Sequence, residues 1–181
     1  MKKIAFLILI YNALFGNDLE IAQQMCRRGD CSVLGYIYQE QGDFLKANQY
    51  FEMACKANIG NGCGNLGVQY EYGFGIRQNI SLAVKFYDKA CNLDSKQCGY
   101  LGNMYLLGKG VRQDFCRANS LNLKACNARN AFACWQFGTS IIERRCQNYN
   151  IYQAKEYFGK ACDLGFQKGC DDYRYLNTIG Y

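Results

Sequence analysis

Cysteines recur in pairs along this chain, and the pairs keep a fixed period. Cys55 and Cys63, Cys126 and Cys134, and Cys162 and Cys170 each enclose seven residues, while Cys91 and Cys98 enclose six. The second cysteines of successive pairs stand 35, 36 and 36 residues apart. A period in this range, carried by whole phrases of sequence, specifies a repeat array in which each unit leans on its neighbours. Twelve cysteines in 181 residues add a second message. An even count at regular spacing reads as a framework of covalent staples in a protein that leaves the cytosol.

Aligned on the second cysteine, the repeats share more than sulfur. Four positions on stands Gly35, Gly67, Gly102 or Gly138, preceded by Leu34, Leu66, Leu101 or Phe137. Seven positions on come Tyr38, Tyr70 and Tyr105, with Ile141 breaking the pattern. Apolar residues three and four apart mark one face of an amphipathic helix, helix A. A mid-helix glycine costs about 1 kcal/mol against alanine, so its recurrence implies a neighbouring helix too close for a side chain.

Glycine-rich turns follow, Gly73-Phe-Gly75 and Gly108-Lys-Gly110, and Asn79 or Asp114 is placed to cap the next helix. That helix, B, carries Ala47, Ala83, Ala118 and Ala154, each eight residues before a pair's first cysteine. Its stripe of Phe51, Phe86-Tyr87 and Tyr157-Phe158 reads as core. Each repeat is thus an antiparallel helix pair. Stacked pairs predict an all-α fold, a right-handed superhelix of the α-solenoid kind. The first repeat departs from the rule: Cys31 to Cys55 spans 24 residues against 28 in its equivalents, the glycine turn being replaced by Gln41-Gly-Asp43. Terminal units are commonly atypical because they cap the stack.

Leu66-Gly67-x-x-Tyr70 with Gly73-x-Gly75, then Ala83 through Lys89-Ala90-Cys91, resemble Sel-like repeats, relatives of the tetratricopeptide repeat. Cysteines closing helix B and opening the next helix A narrow the resemblance to the Helicobacter cysteine-rich protein family of secreted proteins. The match runs from Cys26 to Cys170. The expected organisation is a signal peptide over 1–16, a capping helix over 17–31 and a C-terminal cap over 171–181. Between the caps lie repeats at 32–63, 64–98, 99–134 and 135–170.

Each cysteine pair spans one short loop, which gives Cys26–Cys31, Cys55–Cys63, Cys91–Cys98, Cys126–Cys134 and Cys162–Cys170. Closing a loop of that size restricts the unfolded chain by roughly 2.5 kcal/mol. Cys116 opens a helix B and Cys146 lies in the following repeat's turn, so a Cys116–Cys146 staple between repeats is expected, against two free thiols or an intermolecular bond. Zinc would ask for short cysteine knuckles in partnership or for histidines. Only Cys26–Cys31 is that short and histidine is absent, so no metal and no cofactor is expected.

Resemblance to this family implies binding of penicillin-type compounds and a weak β-lactamase activity. The residues offer that chemistry no familiar site. Ser32, Ser81, Ser95, Ser120 and Ser140 are followed three positions on by Gly35, Val84, Cys98, Leu123 and Glu143, never lysine, and no Lys-Thr-Gly occurs. A Ser-His-Asp triad and histidine-bound zinc are both impossible without histidine. The other reading is a scaffold that holds a peptide, a peptidoglycan fragment or a protein partner in the concave groove lined by helix A. Helix register places Ser32, Tyr36, Gln39, Gly64, Val68, Glu71, Gly99, Asn103, Leu106, Trp135, Thr139 and Ile142 along that groove. Trp135, the only tryptophan, is the residue to watch in that set: a tryptophan is more commonly buried core, but tryptophans are enriched at interface hot spots.

Lys2 and Lys3 ahead of the apolar run Ile4 to Phe15 read as a signal peptide cut near Gly16, too short to span a bilayer. The chain is therefore expected to be secreted or periplasmic, without a membrane span, and monomeric. Losing both lysines takes the formal charge from +6 to +4. The remaining basic residues are scattered, which excludes a nucleic-acid footprint.

Overall fold

The computed structural model describes residues 18–146 and 150–181; the expected signal segment lies outside the described residues. Residues 18–27 form α1. There follow α2 (Ser32–Glu40), α3 (Phe44–Lys56), α4 (Gly60–Tyr72), α5 (Ile80–Leu93), α6 (Cys98–Leu107), α7 (Phe115–Asn127), α8 (Ala131–Ile142), α9 (Ile151–Asp163) and α10 (Gln167–Thr178). From α2 to α10 consecutive helices pack on one another, which makes an α-solenoid. Helices α2, α4, α6 and α8 are the A members, α3, α5, α7 and α9 their B partners, and α10 closes the stack as an unpaired A helix.

Local chemistry sets the ends of these helices. Asp43, Asn79 and Asp114 accept the backbone N–H groups of Lys46, Leu82 and Arg117, so each helix B starts on a side-chain cap. Gly73 and Gly108 end their A helices in the left-handed conformation, at φ 76° and 67°. The loop from helix B to the next helix A also needs positive φ, three residues past the first cysteine. Gly29 and Gly165 supply it freely, whereas Asn58 and Arg129 adopt it at φ 61° and 65°. The six-residue gap between Cys91 and Cys98 avoids this bend by using a short 3-10 turn over Ser95–Gln97.

Three of the four recurring helix-A glycines share one explanation. A Cβ built on Gly35, Gly67 or Gly138 would lie 2.4, 2.6 or 2.7 Å from the ring of Phe51, Tyr87 or Phe158. Repeats one, two and four thus each bury one helix-B ring against the bare backbone of their own helix A. Repeat three differs, because Gly102 faces Asn122 instead. Beside each ring stands a fully buried alanine, Ala47, Ala83 or Ala154, and Ala118 holds the same place in repeat three.

Six disulfides join Cys26–Cys31, Cys55–Cys63, Cys91–Cys98, Cys126–Cys134, Cys162–Cys170 and Cys116–Cys146. Five close loops between consecutive helices. Cys116–Cys146 instead ties the start of α7 to the segment after α8, a separation of 30 residues. Twelve paired cysteines mark a chain that folds outside the reducing cytosol. Among the described residues, no helix is long and apolar enough to cross a membrane.

Candidate ligand-binding groove

Helix A presents a face on which successive repeats meet through polar side chains. Tyr36 donates its hydroxyl proton to Asn65 (3.0 Å), and the Gln69 amide donates to Gln39 (2.6 Å). Further along, Gln136 donates to Asn103 (3.1 Å) and the Trp135 indole to Asp172 (2.7 Å). Three of these bonds, the exception being Gln69–Gln39, repeat one rule: a residue two positions past the second cysteine meets the preceding helix A. The ring-on-glycine core joins the two helices of a repeat, and these hydrogen bonds join one repeat to the next.

Between α4 and α6 the rule changes, because Tyr100 takes that position and lies against Gly64. The result is a cavity of about 460 Å³ reaching across α4, α6 and the start of α8. Val68, Glu71, Gly99 and Asn103, all placed on the groove by helix register, line it. Tyr72, Tyr100 and Phe132 add aromatic faces, and Asn130 closes one side. Tyr87 reaches it from helix B, its ring stacked on Tyr100 at a centroid distance of 5.1 Å.

One carboxylate governs the electrostatics. Glu71 is 6% exposed. It accepts the Tyr87 hydroxyl on one oxygen at 2.6 Å and the Lys109 ammonium on the other at 2.8 Å. Burial, reinforced by the bond to Glu71, drives the Tyr87 phenol far above its ordinary range, so it remains a neutral donor. Lys109 also stands 5.1 Å over the Tyr72 ring. The site thus offers aromatic faces, amides and a neutralised carboxylate, a set suited to holding a ligand.

The other register-predicted residues lie elsewhere. Ser32 is buried and bonds to Asp30. Tyr36 and Gln39 serve the α2–α4 contact, and Gly64 lies under Tyr100. Leu106 is half-buried and Ile142 exposed, both at helix ends. Thr139 turns its hydroxyl back to the Trp135 carbonyl. Trp135 packs against Phe132 and Phe166 with Lys168 4.3 Å above its ring, between α8 and α10. Sequence reasoning passed over Tyr72, Tyr100, Phe132 and Lys109. The available signals were Tyr100 at a position held by Asn65 and Gln136 in adjoining repeats, and a lysine between two turn glycines.

The profile of the Sel1 repeat matches this chain four times, over residues 25–59, 61–95, 98–130 and 131–166. The chain belongs to the Sel1 repeat family. Helicobacter pylori cysteine rich protein B matches this Sel1 repeat protein in structure with a TM-score of 0.56 and 31% identity, over 66% of this chain and 92% of that one. That match places it with the cysteine-rich members. A Sel1 repeat protein from Oxalobacter formigenes superimposes with a TM-score of 0.73 at 19% identity, over 89% and 76% of the two chains, a likeness of fold. In sequence, 43 residues are 49% identical to the Helicobacter pylori protein named "Putative beta-lactamase HcpC". That stretch covers 24% of this chain and 14% of HcpC.

Proposed function

We propose that this Sel1 repeat protein is an exported binding scaffold whose helix-A cavity holds a peptide-like ligand, a peptidoglycan fragment foremost, and accepts β-lactams as mimics of it. The observation that carries this reading is the cavity shared by repeats two, three and four. Its aromatic walls, Tyr72, Tyr100 and Phe132, stand around a buried carboxylate whose charge is already compensated. Aromatic faces contribute apolar contact at small entropic cost, and the half-buried Asn103 amide supplies directional hydrogen bonds. Between α4 and α6 the bond that joins the other A helices is missing among the described residues, and the cavity left there is where a stacked array can admit a foreign chain.

Hydrolysis is the second reading, favoured by the printed names of HcpC and of the Helicobacter pylori protein "Putative beta-lactamase HcpD". In this cavity Glu71 has both oxygens committed, to Tyr87 and to Lys109. Tyr87 holds its proton too tightly to be a base. Slow turnover at most is expected.

Calorimetric titration of the oxidised protein with a purified muropeptide and with benzylpenicillin tests the binding, beside turnover of a chromogenic cephalosporin. Tyr100→Ala and Phe132→Ala, at partly exposed positions, should each weaken binding about tenfold, equivalent to the loss of one good aromatic contact. Binding unaltered in both variants would remove the cavity from the function. Cephalosporin turnover of many equivalents, lost in the same variants, would instead establish the hydrolase.

A further inference from the structure

Glu71 stands out from its counterparts in the other repeats. The same helix-A position, eight past the second cysteine, carries Gln39, Leu106 and Ile142. Burying a carboxylate is costly unless it is paired and hydrogen-bonded. The pairing cation comes from outside the helices: Lys109 lies in the turn after α6, between Gly108 and Gly110, both at positive φ. Its ammonium bonds to Glu71 and lies over Tyr72 while its side chain stays 35% exposed. A carboxylate beside aromatic faces is how proteins recognise an alkylammonium group. Here that arrangement is filled by the protein's own lysine, whose backbone N–H is held by the Met104 carbonyl while its long side chain reaches over to Glu71.

We infer that the cavity recognises a primary alkylammonium group on its ligand, such as a lysyl or other diamino-acid side chain in a peptide. Lys109 is the internal competitor that occupies the site in the free protein. This rests on the binding reading above and names the chemistry the cavity selects. An incoming amine takes over the bond to Glu71 Oε1 and the face of Tyr72, while its alkyl stem runs along Tyr100 and Phe132. The Lys109 side chain, already 35% exposed, rotates into solvent about its own bonds. No net charge is buried in the exchange, since one ammonium replaces another.

The test uses the oxidised full chain and two probes, Nα-acetyl-lysine amide and its uncharged counterpart Nα-acetyl-norleucine amide. Removing the competitor in Lys109→Met should tighten lysine-amide binding by about tenfold over the parent protein and leave norleucine amide the weaker ligand. Glu71→Gln combined with Lys109→Met restores neutrality in the cavity and should reverse that preference. If Lys109→Met fails to fold, the double variant and the parent protein still decide. The parent's Tyr72, Tyr100 and Phe132 ring resonances must shift more with lysine amide than with norleucine amide, and the double variant must lose that difference. Equal response to both probes in the parent, or a Lys109→Met that folds and binds lysine amide no more tightly, overturns the inference. Muropeptide binding sensitive to Tyr100→Ala alongside such a result would leave the scaffold reading standing, so the two failures are distinct.

Discussion

Gly138 and Gly159 lie in the same repeat, each inside a helix, and alanine should act on them with opposite sign. Helix propensity favours alanine by about 1 kcal/mol at both. At Gly159 the nearest atoms to a new Cβ belong to Tyr173 at 3.4 Å, an ordinary contact, so the propensity gain survives. At Gly138 the Cβ would stand 2.7 and 2.8 Å from the Phe158 ring and 3.2 Å from the Ala154 carbonyl oxygen. Normal separation is about 3.5 to 4.0 Å, so the ring must retreat by about 1 Å or the helices part. Phe158 is buried and the carbonyl belongs to the backbone of α9, so neither yields readily. Overpacking of this kind costs about 1 to 3 kcal/mol, and its upper end applies. Net of propensity, Gly138→Ala should lose about 2 kcal/mol and Gly159→Ala gain about 0.5 to 1 kcal/mol.

Denaturant unfolding of the oxidised protein, followed by Trp135 fluorescence, reads this out. The tryptophan sits on α8 itself, three residues before Gly138, so it reports the repeat that is strained. Substituting Phe158→Leu in the Gly138→Ala background should recover at least about 1 kcal/mol, because the two residues touch and their effects must couple. If Gly138→Ala is as stable as the parent, or the leucine gives no recovery, then ring-on-glycine packing does not explain the repeated glycine.

Arg129→Gly should stabilise by about 1 kcal/mol, because Arg129 holds φ at 65° where glycine bears no Cβ penalty; a loss in unfolding midpoint would refute this. Folding raises the Tyr87 phenol above its ordinary value of 10.0, so the folded chain keeps a proton that the unfolded chain releases above that pH. Stability measured by denaturation should therefore be full below pH 10 and fall with rising pH above it. Tyr87→Phe should flatten that alkaline slope while lowering stability at neutral pH, since Glu71 loses a buried donor. Cys116 is exposed, whereas Cys31, Cys63, Cys98 and Cys134 are buried, so limited thiol treatment followed by peptide mapping should find Cys116–Cys146 opened before the bonds those four make.

The repeat, its helices and the five loop staples were legible because each rests on residues near one another in the chain. Gly67 and Tyr87 announce their contact because the same pairing returns 20 residues apart in Gly138 and Phe158, and 16 apart in Gly35 and Phe51 of the shortened first repeat. The groove was legible only as a register. Which register positions face solvent depends on what the next repeat places opposite them, and that partner lies about 30 or more residues away. Gly64 is covered because Tyr100, rather than a smaller residue, follows Gly99. Glu71 is buried because a lysine 38 residues on reaches back to it. Trp135 is held by Asp172 at 37 residues, through a helix that closes the array and begins before Cys170. Helical periodicity contains no term for such pairings, so the aromatic walls of the cavity were invisible to it.

Repeat three shows how the array absorbs a local defect. Where the other repeats bury Phe51, Tyr87 and Phe158, α7 offers Asn122, 1% exposed. Its carbonyl oxygen and that of Asn119 have no hydrogen-bond partner among the described residues. Trading a buried ring for a shorter polar group forfeits a few kcal/mol of core packing. The same helix carries Cys116, and its bond to Cys146 closes a loop worth about 3.5 kcal/mol of unfolded-chain entropy. The defect and the staple lie on one helix and are of comparable size, so the sixth disulfide is expected to support repeat three rather than to act as a sixth copy of the loop staple. If so, Asn122→Leu should restore much of the stability lost in Cys116→Ser with Cys146→Ser, and hydrogen exchange should locate that recovery in α7. Loss of the disulfide that loosens every repeat equally, with no response to Asn122→Leu, would show that the two features are unrelated.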